Sequence, residues 1–175
     1  MPRIGGRYAS RVTIVRIMNL YLIRHGKAEP RREGLADEDR GLTKEGKREL
    51  VTLVGGLAAL QVSLNLVLTS PWRRAVETAQ RMSFLGDPEI RETTLLAMAP
   101  STELLTEIGR GTVALVGHQP WMSMLLSWLV TGSQDKAANF PVKKGQVAHL
   151  RGEPLPGQTE LLALLPPRVF RRLGG

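Results

Sequence analysis

The sequence predicts an α/β fold: a single domain built on a mostly parallel sheet with helices on both faces. Three observations carry this. Short, near-continuous apolar runs alternate with longer amphipathic segments, the pattern of buried strands and crossover helices. The 175 residues suffice for one sizeable core, and 42% of them are apolar, which sets the chain among globular rather than disordered proteins. No internal repeat and no linker-like stretch divides it.

Each element follows from local chemistry. The run Leu20-Tyr21-Leu22-Ile23 reads as a buried first strand over 18–23. A polar loop of mixed acids and arginines follows over 29–40. Thr43 suits an N-cap, and Glu45 suits the positive end of the helix it would start. Leu50, Leu53, Val54, Leu57 and Leu60 recur at helical spacing, which predicts a helix over 44–60. A second strand spans 64–69. Pro71 fits the first turn of a second helix running to Phe84. Residues 88–93 form a short third strand. Ser101 caps a third helix, with Glu103 near its start. Residues 112–116 form another buried strand, and Pro120 opens a fourth helix over 121–130 that is apolar nearly all round. Residues 132–141 are a polar loop. Late strands over 146–150 and 160–165 flank a turn-rich 152–157. The tail, 166–175, is basic and expected to be loose.

Composition narrows the function. The chain has no cysteine, so disulfides and thiolate metal sites are excluded, and a reducing, cytoplasmic setting is expected. The longest apolar stretch, 121–130, contains Ser123 and Ser127 and is too short to span a bilayer, so no membrane role is expected. Of the net charge of +8, Arg3, Arg7, Arg11 and Arg16 supply +4, leaving +4 for residues 18–175. Residues 1–17 therefore read as a basic extension outside the domain. The pairs Arg31-Arg32, Lys143-Lys144 and Arg171-Arg172 are scattered and not interleaved with aromatics, so nucleic acid is not an expected partner. A monomer with a mild attraction for phosphorylated partners is expected.

Three segments sit just after strands. Arg24-His25-Gly26 follows the first, Ser70-Pro71-Trp72-Arg73-Arg74-Ala75 the second, and Gly117-His118-Gln119-Pro120 the 112–116 strand. In a parallel sheet ligands bind outside the carboxyl ends of the strands, so all three should meet in one crevice. Arg24 offers a planar fork of donors suited to phosphate oxygens. A neutral His25 can attack phosphorus. Gly26 permits a sharp turn and close backbone approach.

Taken together these segments resemble the histidine phosphatase superfamily, also called phosphoglycerate-mutase-like. The resemblance spans about residues 18–165. It is carried by Leu20-Tyr21-Leu22-Ile23-Arg24-His25-Gly26, by Gly41-Leu42-Thr43 with Gly46, and by the 69–78 and 116–120 segments. Within the superfamily the chain is most similar to small SixA-type phosphohistidine phosphatases. The features are its shortness, the continuation Lys27-Ala28-Glu29-Pro30, and Thr69-Ser70-Pro71 followed by Arg74-Ala75. The resemblance implies His25 as nucleophile, with Arg24, Arg74 and His118 binding the phosphoryl group. His118 is expected to be cationic beside a phosphate. Neither metal nor cofactor is implied, because the arginines and histidine supply the positive charge. Arg73 is expected on the helix surface, His149 and the Trp121–Trp128 cluster in structural roles, and Ser70 as the residue ordering its loop.

One departure matters. Many superfamily members carry a glutamate after the third strand as general acid. Here 93–100 contains no carboxylate, and only Glu92 and Glu103 flank it as candidate acids. A phosphate monoester needs its leaving group protonated, worth about 10²–10⁴-fold in rate. An imidazole leaving group needs less help. The pattern therefore favours phosphohistidine on a signalling protein as substrate, and a chain too short for roofing insertions implies a crevice open to it. A small phosphorylated metabolite is the alternative. A catalytically inactive phosphate-binding module is disfavoured, because such a module could dispense with His25.

Overall fold

β1 (Met18–Arg24) is the centre of the molecule. The computed structural model of the chain describes residues 18–173, and the expected extension 1–17 lies outside them. β1 pairs in parallel with β4 (Thr112–Gly117), which pairs in parallel with β2 (Leu66–Thr69). β2 in turn pairs with β3 (Glu89–Glu92) at one edge. On the other side β1 pairs antiparallel with β5 (Val147–Gly152), which forms a hairpin with β6 (Thr159–Leu165). The order β3-β2-β4-β1-β5-β6 thus has a parallel body and an antiparallel edge.

The central strands are apolar throughout because both faces are covered. Successive side chains point to opposite faces. Leu20, Leu22, Leu68 and Leu115 enter one core with Leu104, Leu105, Leu125 and Leu129 of α3 (Thr102–Glu107) and α4 (Trp121–Thr131). Tyr21, Ile23, Val67 and Val116 enter the other with Leu50, Leu53 and Leu57 of α1 (Lys44–Ala59) and Ala75 and Ala79 of α2 (Arg73–Gln80). The expected α/β sheet with helices on both faces is what the chain adopts.

Local chemistry sets the boundaries that matter for the site. Thr43 caps α1, its Oγ1 accepting from Gly46 N at 3.0 Å. A Cβ on Gly46 would lie 2.3 Å from the Lys27 carbonyl oxygen, so a glycine there lets α1 start against the loop that follows β1. α2 begins two residues later than expected. Pro71 stays in the loop because Ser70 Oγ accepts from Trp72 N at 3.3 Å, and Trp72 keeps an extended backbone. Beyond Gln80 the helix tightens into a 3₁₀ turn, Arg81–Phe84.

The tail corrects the expectation of a loose end. Residues 167–173 form α5 (Pro167–Leu173), with proline at its first position and a fully buried Phe170. Phe170 packs on α1 where Gly56 leaves room: a Cβ there would lie 2.7 Å from the Phe170 ring. One buried aromatic anchors the helix, while Arg168, Arg171 and Arg172 stay exposed.

Candidate active site

Pairing of the strand ends brings the three segments together. Arg24 lies beside Gly117 and Thr69 beside Val116, so His25, Ser70 and His118 emerge side by side. They open onto a cleft of about 490 Å³ lined by Arg24, His25, Arg74 and His118. All four expected site residues therefore meet.

His25 is buried, and its backbone N donates to Gly117 O at 3.1 Å. Its Nδ1 lies 2.7 Å from the Gly26 carbonyl oxygen. A carbonyl only accepts, so Nδ1 carries the proton and Nε2 presents its lone pair. Arg74 Nε donates to that Nε2 at 3.2 Å. Burial, offset in part by the Gly26 hydrogen bond and reinforced by His118, Arg74 and Arg24, pushes the His25 pKa down to about 3. The ring is thus a neutral base at physiological pH. Gly26 does not adopt the left-handed backbone; its N instead donates to Thr78 Oγ1 at 3.3 Å.

The two arginines are held differently. Arg24 Nη1 donates to Val142 O at 3.0 Å, and Arg24 Nε has no partner among the described residues. Gln119 Nε2 donates to the same Val142 carbonyl at 2.9 Å, which ties the start of α4 to this arginine. Arg74 is buried, with its guanidinium carbon 4.6 Å from the centre of the Trp72 ring. Arg73, as expected, is exposed and pairs with Glu77 at 2.9 Å.

His118 Nε2 lies 2.8 Å from Ser70 Oγ, and its Nδ1 is buried without a partner among the described residues. Ser70 orders this loop, as expected, by holding both His118 and Trp72 N. Burial and the nearby Arg74 push the His118 pKa down to about 3, so the ring is neutral here. The cationic form expected beside a phosphate needs the anion's own charge to offset those two effects. His149 has its structural role: it stacks on Tyr21 at 4.4 Å and lies 3.0 Å from Asn19 Oδ1.

Neither candidate acid reaches the cleft. Glu92 is exposed on the edge strand β3, and Glu103 is exposed on α3, where a hydrogen bond from Ser101 lowers its pKa. The segment after β3 turns into a 3₁₀ helix, Thr94–Ala97, that buries Leu96 in the core rather than presenting a carboxylate.

Sequence reasoning missed the residues completing the cleft: Arg31, Asp37, Arg40, Trp72, Trp121 and Lys144. Asp37 is the carboxylate that lines it. Its Oδ2 accepts from Arg74 Nη2 at 2.9 Å, and its Oδ1 from Arg31 Nε at 3.0 Å and Arg40 Nε at 3.0 Å. Burial opposes its ionisation, but hydrogen bonds from Arg31, Arg74 and Arg40 outweigh it and lower the pKa to about 2. The mixed charges of 29–40 were the available signal, though such loops usually face water. Trp121, expected in a structural role, instead has its ring 6.1 Å from Trp72 at the cleft wall. Among the described residues no three His, Asp or Glu side chains gather in a metal-ligating arrangement.

Comparison with known proteins bears on this geometry. The family model of the histidine phosphatase superfamily (branch 1) matches residues 20–99. An uncharacterized protein of Picosynechococcus is 31% identical over 146 residues, covering 77% of this chain and 85% of that protein. A solved structure from Agrobacterium tumefaciens, assigned as a phosphohistidine phosphatase SixA, superposes with a TM-score of 0.70 at 27% identity, covering 86% of this chain and 98% of that one. The protein histidine phosphatase SixA in complex with tungstate gives 0.68 at 22% identity, over 86% of this chain and 98% of that one. The alpha-ribazole phosphatase of Shigella flexneri gives 0.65 at 20% identity, over 86% and 97%. The last two likenesses speak to the fold alone.

Proposed function

Since the chain belongs to the histidine phosphatase superfamily, we propose that it removes phosphate from phosphohistidine on a protein through a covalent intermediate on His25. Phosphatase activity goes with the family; the substrate is the proposal. The observation that carries it is the state of the one carboxylate that lines the cleft among the described residues. Asp37 is held ionised by three arginines and has no proton to give. A leaving group that departs without a strong acid suits this site, and a protonated imidazole is one.

The steps follow from the hydrogen bonds. His25 Nε2 attacks phosphorus while its Nδ1–H stays on the Gly26 carbonyl. The bond from phosphorus to the substrate imidazole breaks, and that ring leaves neutral, its other nitrogen bearing the proton. As Nε2 becomes bonded, Arg74 Nε turns its hydrogen bond from Nε2 to a phosphoryl oxygen, and Arg24 Nε supplies a second donor. Both stabilise the spread charge of the transition state. Water then attacks the same phosphorus, the Nε2–P bond breaks, and inorganic phosphate departs with His25 neutral again.

A second reading, a small-molecule monoester phosphatase, draws on the indole walls at Trp72 and Trp121, which suit a planar leaving group. One assay separates the two: a phosphohistidine-bearing protein against a panel of phosphate monoesters, with the His25→Ala variant as blank. Preference for phosphohistidine supports the proposal. A monoester turned over faster overturns it and moves the protein to small-molecule chemistry.

A further inference from the structure

We propose that Asp37 is a positioning residue that sets the catalytic register of Arg74 against His25. The inference rests on the phosphatase reading, in which Asp37 figures only as a carboxylate with no proton to give, and assigns that residue a role of its own.

The donors of Arg74 sit on three nitrogens, and Asp37 engages two of them. Nη2 donates to the Asp37 carboxylate at 2.9 Å and Nη1 to the Asp37 backbone carbonyl. With those two fixed, the planar guanidinium has one orientation left, and in it Nε points at His25 Nε2, 3.2 Å away. The carboxylate is itself fixed from the other side by Arg40, whose side chain is largely buried, and by Arg31. A further tie, Arg73 N to Glu38 O at 2.9 Å, docks the loop on the first turn of α2. The loop thus forms part of the wall that aims a catalytic arginine.

The charge argument gives this role a signature. A carboxylate in a phosphate site repels the substrate dianion. A residue kept only for binding should therefore not be acidic. One kept for orientation accepts a cost in affinity for a gain in rate. The Asp37→Asn variant keeps the shape, removes the charge and weakens the grip on Arg74.

The test compares wild type, Asp37→Asn and Asp37→Glu on two aryl phosphates whose phenols differ widely in pKa. Inorganic phosphate affinity is measured by calorimetry, and the Arg74 Nε–H resonance by NMR. Expected for Asp37→Asn is a kcat about 10- to 100-fold lower on both esters alike. Phosphate affinity should be unchanged or tighter, and the Arg74 Nε–H resonance lost to faster exchange. Asp37→Glu should recover part of the rate. Three results overturn the inference: a rate loss confined to the poorer leaving group, which makes Asp37 an acid; a loss of phosphate affinity, which makes it part of a binding scaffold; or no change in rate and resonance, which makes it a surface ion pair. Wild type inactive on both esters and on a phosphohistidine-bearing protein would instead sink the phosphatase reading, and the NMR comparison would still decide whether Asp37 holds Arg74.

Discussion

As the proposed nucleophile His25 must be neutral, and the same burial that keeps it neutral makes the fold sensitive to acid. The pKa values of His25 and His118 lie near 3, against 6.5 for an unburied histidine. Between those values the unfolded chain binds protons that the folded one does not, so stability rises with pH through that window and levels off above it. Acidifying from pH 7 to 4 should therefore lower the unfolding free energy, by up to about 1.4 kcal/mol per pH unit for each ring. The His25→Asn variant should show a shallower slope in urea melts across that range; an identical slope would mean His25 is not the titrating group. Replacing the proposed nucleophile should also separate binding from chemistry. His25→Ala is expected to lose turnover and the covalent phosphoenzyme yet still bind inorganic phosphate, and retained activity would falsify the nucleophile assignment. Arg74→Ala should weaken both kcat and phosphate affinity, roughly 10²-fold or more in kcat, because Arg74 faces charge in ground and transition states. Arg24, His25, Arg74 and His118 were legible in the sequence because each sits one to five residues beyond an apolar strand. Asp37 was not, because a carboxylate in a loop of mixed charge looks the same whether it meets water or a buried guanidinium.

At the level of elements, apolar runs and caps placed the core strands and helices, and the disagreements arise where tertiary contacts override local preference. α2 starts at Arg73 rather than Pro71 because Ser70 Oγ holds the intervening backbone. α5 exists because Phe170 finds a pocket over Gly56, which no periodicity within a seven-residue basic segment announces. The consequence is measurable. Phe170→Ala should cost about 3–5 kcal/mol of stability, read from the shift in a chemical denaturation midpoint. A change near zero would show that the tail is as loose as its composition suggests. Because Phe170 packs on Gly56 near the end of α1, whereas α1 meets the loop after His25 at its start, activity per folded molecule should be preserved in that variant.

Across the whole molecule, charge is gathered where the strands end. Arg24, Arg31, Arg40, Arg74 and Lys144 line the cleft against Asp37. A site of that sign draws anionic substrates by long-range attraction. The kcat/KM for a phosphorylated protein should therefore fall several-fold between 0.05 M and 0.5 M salt while kcat changes little, as screening shortens to a few ångströms. A salt-independent kcat/KM would contradict such steering. EDTA should leave the rate unchanged, since the arginines supply the positive charge; inhibition reversed by added metal would contradict that. The sequence by itself determined the class of fold and the family, and it singled out Arg24, His25, Arg74 and His118, the candidate site residues that meet in one cleft. Those depend on hydrophobic periodicity and on short segments attached to strand ends, which are local properties. Only the tertiary structure decided that Glu92 and Glu103 face away, that Asp37 clasps Arg74, that Trp121 walls the cleft and that the C-terminal segment is a docked helix. Each depends on which side chain meets which across more than thirty residues of chain or across a helix face, and that proximity is created by packing rather than written in any local pattern.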